Sequence, residues 1–171
     1  ETLLTRSADR SASGAAASSL VVCWGNPLRG DDGAGSRVAA ELARDAGLGA
    51  TVLDVHQLTP ELAEDLAAAE RVVFVDASVE ADCVKATPVQ AAAGREVQTH
   101  RATPEALLDL ARRLYGAAPK AWLVPVPARQ FAVGTEMSGP TAAAVREAAA
   151  LVRGLLREEA SAPARKMNND G

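Results

Sequence analysis

Three polar side chains stand where they could bind a metal ion or transfer a proton. Asp32 lies in a glycine-rich stretch after the first apolar segment, Asp76 directly follows a later one, and His100 precedes a predicted helix. Two carboxylates and an imidazole suit a borderline or hard divalent metal, and three protein ligands leave positions open for another ligand. A carboxylate or a bound metal at such a site could also activate water for hydrolysis.

Each of these residues also has a structural interpretation. Asp32 and its neighbour Asp31 precede a predicted helix, where acids cap the first turn and complement the helix dipole. This interpretation is favoured for Asp31, whereas Asp32 is favoured as a ligand. Asp76 could serve only as a hydrogen-bond partner at the buried end of the sheet, and His100 could be an ordinary surface residue.

Other kinds of chemistry find little support in the sequence. The glycines of the first stretch do not fit the dinucleotide-binding spacing G-x-G-x-x-G, and the phosphate-binding Gly-Lys-Ser/Thr sequence is missing. Cys23 falls inside a predicted strand with no histidine nearby, and there is no Gly-x-Ser-x-Gly nucleophile elbow. We therefore expect the glycines to let a bulky ligand or peptide approach the backbone. The residues expected to contact such a substrate are Gly25, Asn26, Asp31, Gly33 and His56. For His56, a hydrogen bond within its own loop is the favoured alternative.

Apolar runs that alternate with helical patterns must position these residues. The runs are continuous, which is typical of parallel strands covered on both faces. The predicted fold is α/β, a three-layer α/β/α sandwich with a mostly parallel (mixed) central sheet in a single domain. The strands are predicted at 20–24, 50–55, 72–75, 84–89 and 121–126, and the helices begin near residues 35, 60, 103 and 140. In such folds ligands bind beyond the carboxyl ends of the strands, where the acids and both histidines are predicted to gather.

Local signals predict several element boundaries. Thr59 and Thr103 each precede a Pro-Glu pair, a pattern typical of a helix start with a side-chain cap. Gly47 is expected to stop the first helix. The run at 84–89 should be an edge strand, because Pro88 cannot join a central ladder.

Length and composition limit the classes of function. The chain has 171 residues and a formal net charge of −4, without a basic stripe, which argues against nucleic acid as a partner. No run reaches the roughly 18 apolar residues that a membrane span needs. Two isolated cysteines are expected to be reduced thiols, which fits the cytoplasm, and the protein is expected to be a monomer. The folded domain is predicted to span 20–157, between flexible tails at 1–19 and 158–171.

The order of the motifs resembles one known family. Residues 25–35, with the sequence GNPLRGDDGAG after a short apolar strand, resemble the opening motif of the nickel-iron hydrogenase maturation proteases. Residues 72–77 resemble the second metal-binding segment of that family, and Thr99-His100 before a helix resembles the third. Residues 131–138, FAVGTEMS, are similar to its closing segment. The resemblance covers about residues 20–157.

This resemblance implies a specific activity. Such enzymes are endopeptidases that remove a short C-terminal extension from the hydrogenase large-subunit precursor after nickel has been inserted, and the nickel serves as the recognition element. The family's metal ligands correspond to Asp32, Asp76 and His100, which are also the predicted catalytic residues. The nickel is then carried by the precursor, and no organic cofactor is expected. The segment from His56 to Leu62 resembles only a subset of the family, so His56 is not counted as a core ligand.

Two other functions stay open at this stage. Peptidyl-tRNA hydrolases also begin with a strand and Gly-Asn-Pro in a related α/β architecture, but the residues after Pro27 differ and the acidic charge suits tRNA badly. A non-catalytic metal-binding maturation factor could use the same three ligands.

Overall fold

A computed structural model of the chain describes residues 18–92 and 102–160, the last two by backbone alone. The predicted tails therefore lie almost wholly outside the described residues, and His100 lies outside them too. Five strands lie in the described part: β1 Ser19–Trp24, β2 Ala50–Val55, β3 Arg71–Ser78, β4 Thr87–Val89 and β5 Lys120–Pro127. Four α-helices accompany them: α1 Ala34–Leu42, α2 Leu62–Ala68, α3 Pro104–Tyr115 and α4 Gly139–Ala160.

The strands form one mixed sheet in the order β2-β1-β3-β5-β4. All neighbouring pairs are parallel except β4 and β5, which run antiparallel. Helices α1 and α4 cover one face of the sheet, while α2 and α3 cover the other. The predicted three-layer α/β/α sandwich is confirmed.

Burial on both faces explains why the central strands are continuously apolar. Alternate residues of β3 point to opposite faces, so Val73 packs against α1 and α4 while Phe74 packs against α2 and α3. Val72, Val73, Phe74 and Val75 are all at most 1% exposed. The sheet is thus rigidly held between two apolar layers, and the loops at its carboxyl edge start from fixed points.

The prolines near the sheet edge occupy positions where no ladder bond is lost. β4 is an edge strand, as Pro88 predicted, although it is shorter than the predicted run at 84–89. β5 carries Pro125 within a paired strand, but its pairing with β4 ends at Leu123. Beyond Leu123 one side of β5 has no strand partner in the described residues, and a proline fits there.

Helix boundaries follow the local signals only in part. Thr103 caps α3, since the Ala106 N–H donates to its Oγ1 at 3.3 Å, and Gly116 ends the helix with a φ of 76°. Thr59 makes no such cap, and α2 begins only at Leu62. α1 ends at Leu42, several residues before Gly47. Of the helices in the described part of the chain, none combines the length and apolar character needed to cross a membrane.

Candidate active site

The loops after β1 and β3 diverge at the carboxyl edge of the sheet. β1 lies between β2 and β3. The connection after β1 leads to β2 on one side of it, and the connection after β2 leads to β3 on the other side. A crevice opens at such a switch point, and this is where α/β proteins of this architecture bind ligands. Asp32 stands in the 3-10 turn Gly30–Gly33 after β1, and Asp76 stands near the end of β3. The structure therefore places both predicted carboxylates at the switch point.

The apolar run predicted that Asp76 follows the third strand. In the structure Asp76 is part of that strand, β3. Its strand pairing with β1 ends at Val75, whereas pairing with β5 continues through Asp76 to Ser78. The half-buried Asp76 side chain follows Phe74 by two residues and so projects from the same face. Burial raises the pKa of Asp76, and the negative charge of Asp32 raises it further, to about 7, although a hydrogen bond from the Ala77 N–H opposes both effects.

Asp32 and Asp76 form the candidate active site among the described residues. Asp32 is half-buried, and its N–H donates to the Arg29 carbonyl at 3.1 Å within the turn. Its charge acts on Asp76 across the crevice, so the two carboxylates repel each other. A shared proton or a divalent cation relieves such repulsion. The arrangement can thus hold a metal, or keep one carboxyl protonated near neutral pH.

Asp31, the neighbour of Asp32 in the 3-10 turn, is completely buried. Its Oδ2 accepts hydrogen bonds from the backbone N–H groups of Arg129 and Gln130 and from the Ser138 hydroxyl, and its Oδ1 accepts one from the Ser138 N–H at 2.7 Å. The predicted role of Asp31 as a cap of the next helix is wrong, since neither α1 nor its preceding turn has a side-chain cap. Asp31 instead anchors the start of α4. Asp31 is fully buried, and its predicted contact with substrate stays a prediction.

The bonds to Asp31 also determine its ionisation. Burial alone would raise its pKa, but the N–H groups of Arg129, Ser138 and Gln130, with help from the Thr141 hydroxyl, lower it to about 2. A carboxyl with a lowered pKa stabilises the fold above its unfolded pKa, and this stabilisation is lost as the pH falls through the folded value.

We expect Asp31→Asn to lower the free energy of unfolding at pH 7 by at least about 2 kcal/mol, because the charge-assisted bonds are lost. The difference from the unchanged protein should shrink between about pH 4 and pH 2, where Asp31 becomes protonated in both states. Urea unfolding across this range measures it. Asp65→Asn, on the exposed side of α2, is the control and should change little. Equal stability of Asp31→Asn and Asp65→Asn at pH 7 would contradict the anchoring role.

The glycines of the first loop make room for the protein itself. A Cβ on Gly25 would collide with the Asp32 carbonyl oxygen, and one on Gly33 would lie 2.8 Å from Pro27 Cα. The chain itself fills the space where these two side chains would be, and the predicted contact of the glycines with substrate stays a prediction. Asn26, half-buried, accepts a hydrogen bond from the Leu28 N–H at 2.9 Å through its Oδ1 and so shapes the turn. The loop is folded tightly back on itself, which fixes Asp32.

Of the two histidines, only His56 lies among the described residues. His56 is exposed directly after β2, whose last residue, Val55, accepts a hydrogen bond from the Gly25 N–H at 3.3 Å. The loop with His56 thus starts beside the loop with Asp32, and its contact with substrate stays a prediction. His100 lies outside the described residues, so its role as a ligand also stays a prediction. Within residues 18–92 and 102–158, no three His, Cys, Asp or Glu side chains form a group that could hold a metal.

Cys23 does not offer a competing nucleophile. Cys23 is fully buried in the core, and burial followed by the nearby charge of Asp54 raises the pKa of its thiol far above the ordinary range.

The residues that the sequence analysis did not predict are the partners of Asp31, namely Arg129, Gln130 and Ser138. The one signal in the sequence, the resemblance of residues 131–138 to a closing segment, covers Ser138 but neither Arg129 nor Gln130.

Comparison with solved structures identifies the fold. The structure matches the hydrogenase maturation protease HycI from Thermococcus kodakarensis with a TM-score of 0.65 and 20% identity, over 82% of this chain and 93% of that one. It matches HybD from the same organism at 0.61 and 25%, over 81% and 98%, and the hydrogenase-maturating endopeptidase HybD from E. coli at 0.62 and 24%, over 82% and 93%. No protein-family model matches the sequence, and neither does any curated protein. This chain thus has the fold of hydrogenase maturation proteases over most of its length, and the predicted resemblance is confirmed in structure.

Proposed function

We propose that this chain, built on the fold of hydrogenase maturation proteases, is the endopeptidase that removes the C-terminal extension from the large-subunit precursor of a nickel-iron hydrogenase. The likeness to proteins named maturation peptidases supports the peptidase class. The observation that carries the proposal is the pair Asp32 and Asp76 at the switch point of the sheet. The pair stands where this architecture binds ligands, and its mutual repulsion favours the binding of a cation.

Nickel held by the precursor is the proposed recognition element. Carboxylates together with an imidazole form a donor set that suits a borderline divalent metal. We propose that Asp32, Asp76 and His100 complete the coordination of that nickel, which brings the scissile peptide beside the site. Ala102, two residues after His100, packs against the α2–α3 side of the core, the side toward which Asp76 also projects. This position supports the inclusion of His100.

Two routes can activate the attacking water in this proposal. In the first route, a carboxylate that is not bound to the nickel accepts the proton of a water that attacks the peptide carbonyl and returns it to the leaving amine. Alternatively, the nickel polarises the carbonyl or the water while both carboxylates stay ionised. Both routes need a water-derived nucleophile, which agrees with the buried, protonated Cys23.

The decisive experiment mixes the purified protein with precursor that does or does not contain nickel. We expect the nickel-loaded precursor to be shortened and the nickel-free precursor to stay intact, as measured by intact-mass spectrometry. Asp32→Asn and His100→Ala should each lower the processing rate by at least about 100-fold. Glu70→Gln is the matched control, because Glu70 is an exposed carboxylate directly before β3, at the end of the strand that is far from Asp76.

The same mixture separates the alternative functions. A non-catalytic maturation factor would take nickel from the precursor and leave the chain at full length. A peptidyl-tRNA hydrolase would bind tRNA at low salt, which we do not expect from a chain with a net charge of −4. Full-length precursor after incubation with nickel-loaded substrate would overturn the proposed function.

The setting of the reaction is also part of the proposal. Cys23 and Cys83 are both free thiols, which suits a reducing compartment such as the cytoplasm. We propose that one monomer acts on one precursor there. Gel filtration of the mixture would measure that stoichiometry.

A further inference from the structure

We propose that Asp31 is a positioning residue that holds Asp32 opposite Asp76. Asp31 bonds the turn that carries Asp32 to the 128–138 segment, the stretch between β5 and α4. The same segment is also hydrogen-bonded to the end of β3. The catalytic consequence rests on the proposed function, whereas the positioning itself rests on contacts within this chain.

The first half of the connection runs through Asp31. Its carboxylate takes three hydrogen bonds of 3.0 Å or less from N–H groups of the 128–138 segment and one from the Ser138 hydroxyl. Its own N–H donates to the Gln130 carbonyl at 2.8 Å. Main chain and side chain of one residue are thus both bound to the same segment. Asp32 follows directly in the 3-10 turn and has little freedom to move away.

Further contacts make this attachment broad. The Gly134 N–H donates to the Leu28 carbonyl at 2.9 Å, and Arg29 Nε donates to the Phe131 carbonyl at 3.3 Å. A Cβ on Gly30 would lie 2.7 Å from the Gln130 carbonyl oxygen, so the two backbones are in direct contact. The loop after β1 and the 128–138 segment therefore behave as one packed unit.

The second half of the connection reaches the strand of Asp76. The Ala128 N–H donates to the Ser78 carbonyl at 3.0 Å, two residues beyond Asp76. The Arg129 guanidinium then donates to the carbonyl oxygens of Val79 at 2.8 Å and Ala81 at 2.9 Å. Arg129 is also the residue whose N–H binds Asp31. One segment thus links the loops after β1 and β3, the two elements that carry the carboxylate pair.

This link between the two loops opposes the separation of Asp32 and Asp76. Two carboxylates in a partly buried crevice repel each other, and an unrestrained loop would relieve the repulsion by moving Asp32 out into solvent. The buried bonds of Asp31 oppose that motion. The pair consequently remains in place, ready for a cation, in the protein without substrate.

The test is a double-mutant cycle of stability at pH 8, measured by urea unfolding of the full chain without substrate. Asp32→Asn should raise the urea midpoint of the unchanged protein, because it removes the repulsion with Asp76. In an Asp31→Asn background the same change should raise the midpoint by less than about half as much, since the carboxylates have already separated. An equal rise in both backgrounds would overturn the proposal, because it would show that Asp31 stabilises the fold without positioning Asp32.

A second variant covers the case in which Asp31→Asn does not fold. Arg129→Ala removes a side chain that is 55% exposed, so the core is left intact. In this background too, Asp32→Asn should give a smaller rise in the midpoint. Arg44→Ala is the control, since Arg44 is 75% exposed and pairs only with Glu41 of its own helix end in the described contacts. An unreduced rise in the Arg129→Ala background would also count against the proposal.

Processing kinetics then separate this proposal from the proposed function. If the unchanged protein shortens the nickel-loaded precursor, Arg129→Ala should lower kcat by about tenfold with little change in KM, because misplacement of reacting groups affects the chemical step. An unchanged kcat would overturn the positioning role while the protease assignment stands. If the unchanged protein shortens nothing, the protease assignment fails, and the stability cycle still decides whether Asp31 positions Asp32.

Discussion

Asp76→Asn is expected to abolish precursor processing and, at the same time, to make the folded protein more stable above pH 7. Processing should fall by at least about 100-fold, because an amide neither accepts a proton near neutral pH nor binds a cation as a carboxylate does. Stability should rise because the folded protein holds Asp76 beside Asp32 in a half-buried position where its charge is disfavoured. A residue that served only the fold would lose stability on this change.

The direction of the stability effect follows from the pKa. Asp76 titrates at about 7 in the folded protein, above its ordinary value, so the folded state binds its proton more tightly than the unfolded state does. The resulting stability is present at low pH and is lost as the pH rises through the folded value. Ionising such a carboxyl costs about 4 kcal/mol at pH 8. Asp76 keeps some contact with solvent, so we expect Asp76→Asn to recover roughly 2 kcal/mol.

Urea unfolding at pH 8 and pH 4 tests this expectation together with the processing assay. The gain should appear at pH 8 and vanish at pH 4, where the carboxyl is already neutral. Glu70→Gln, directly before the first residue of β3, should change neither stability nor processing. Retained processing by Asp76→Asn would remove Asp76 from the mechanism, and a loss of stability at pH 8 would assign it a structural role.

The positions of the two carboxylates were predictable because they depend on the sheet. Strands covered on both faces must be continuously apolar, and a polar residue at the end of such a run must reach the sheet edge. Asp76 does lie at the edge, but it still belongs to β3. Pairing with β5 extends that strand, with Asp76 opposite Pro125 and Ser78 opposite Pro127. Pro125 and Pro127 in the sequence of β5 did not indicate that β3 would pair with these positions.

The role of Asp31 could not be read locally, since its partners lie about a hundred residues away. The acid before a helix looked like a cap, but a buried carboxylate binds wherever free N–H groups are presented, and those belong to Arg129, Gln130 and Ser138. The starts of α2 and α3 also could not be predicted from local sequence alone. Thr59 and Thr103 share one local pattern, yet only Thr103 caps its helix, because tertiary contacts override local preference.

Gly25→Ala is expected to be the most destabilising single substitution in the loop that carries Asp32. Gly25 has a φ of 144°, which L residues rarely adopt, and its missing Cβ makes room for the Asp32 carbonyl oxygen. Both the strain and the collision must be relieved by moving the backbone of the loop. We expect a loss of about 4 kcal/mol, in the range of severe backbone and packing defects.

Gly116→Ala separates the two causes of this loss. Gly116 also has a positive φ, 76°, but nothing lies within 4 Å of the place where its Cβ would be. Gly116→Ala should lower the free energy of unfolding by only about 1 kcal/mol. This is the ordinary penalty for replacing a glycine that has the left-handed conformation at the C-terminus of a helix. Thermal and urea unfolding measure both variants. Equal losses would mean that backbone strain alone accounts for Gly25 and that its contact with Asp32 contributes nothing. A much larger loss at Gly25 would show that this glycine is required because the chain must pass directly behind the residue proposed to bind nickel.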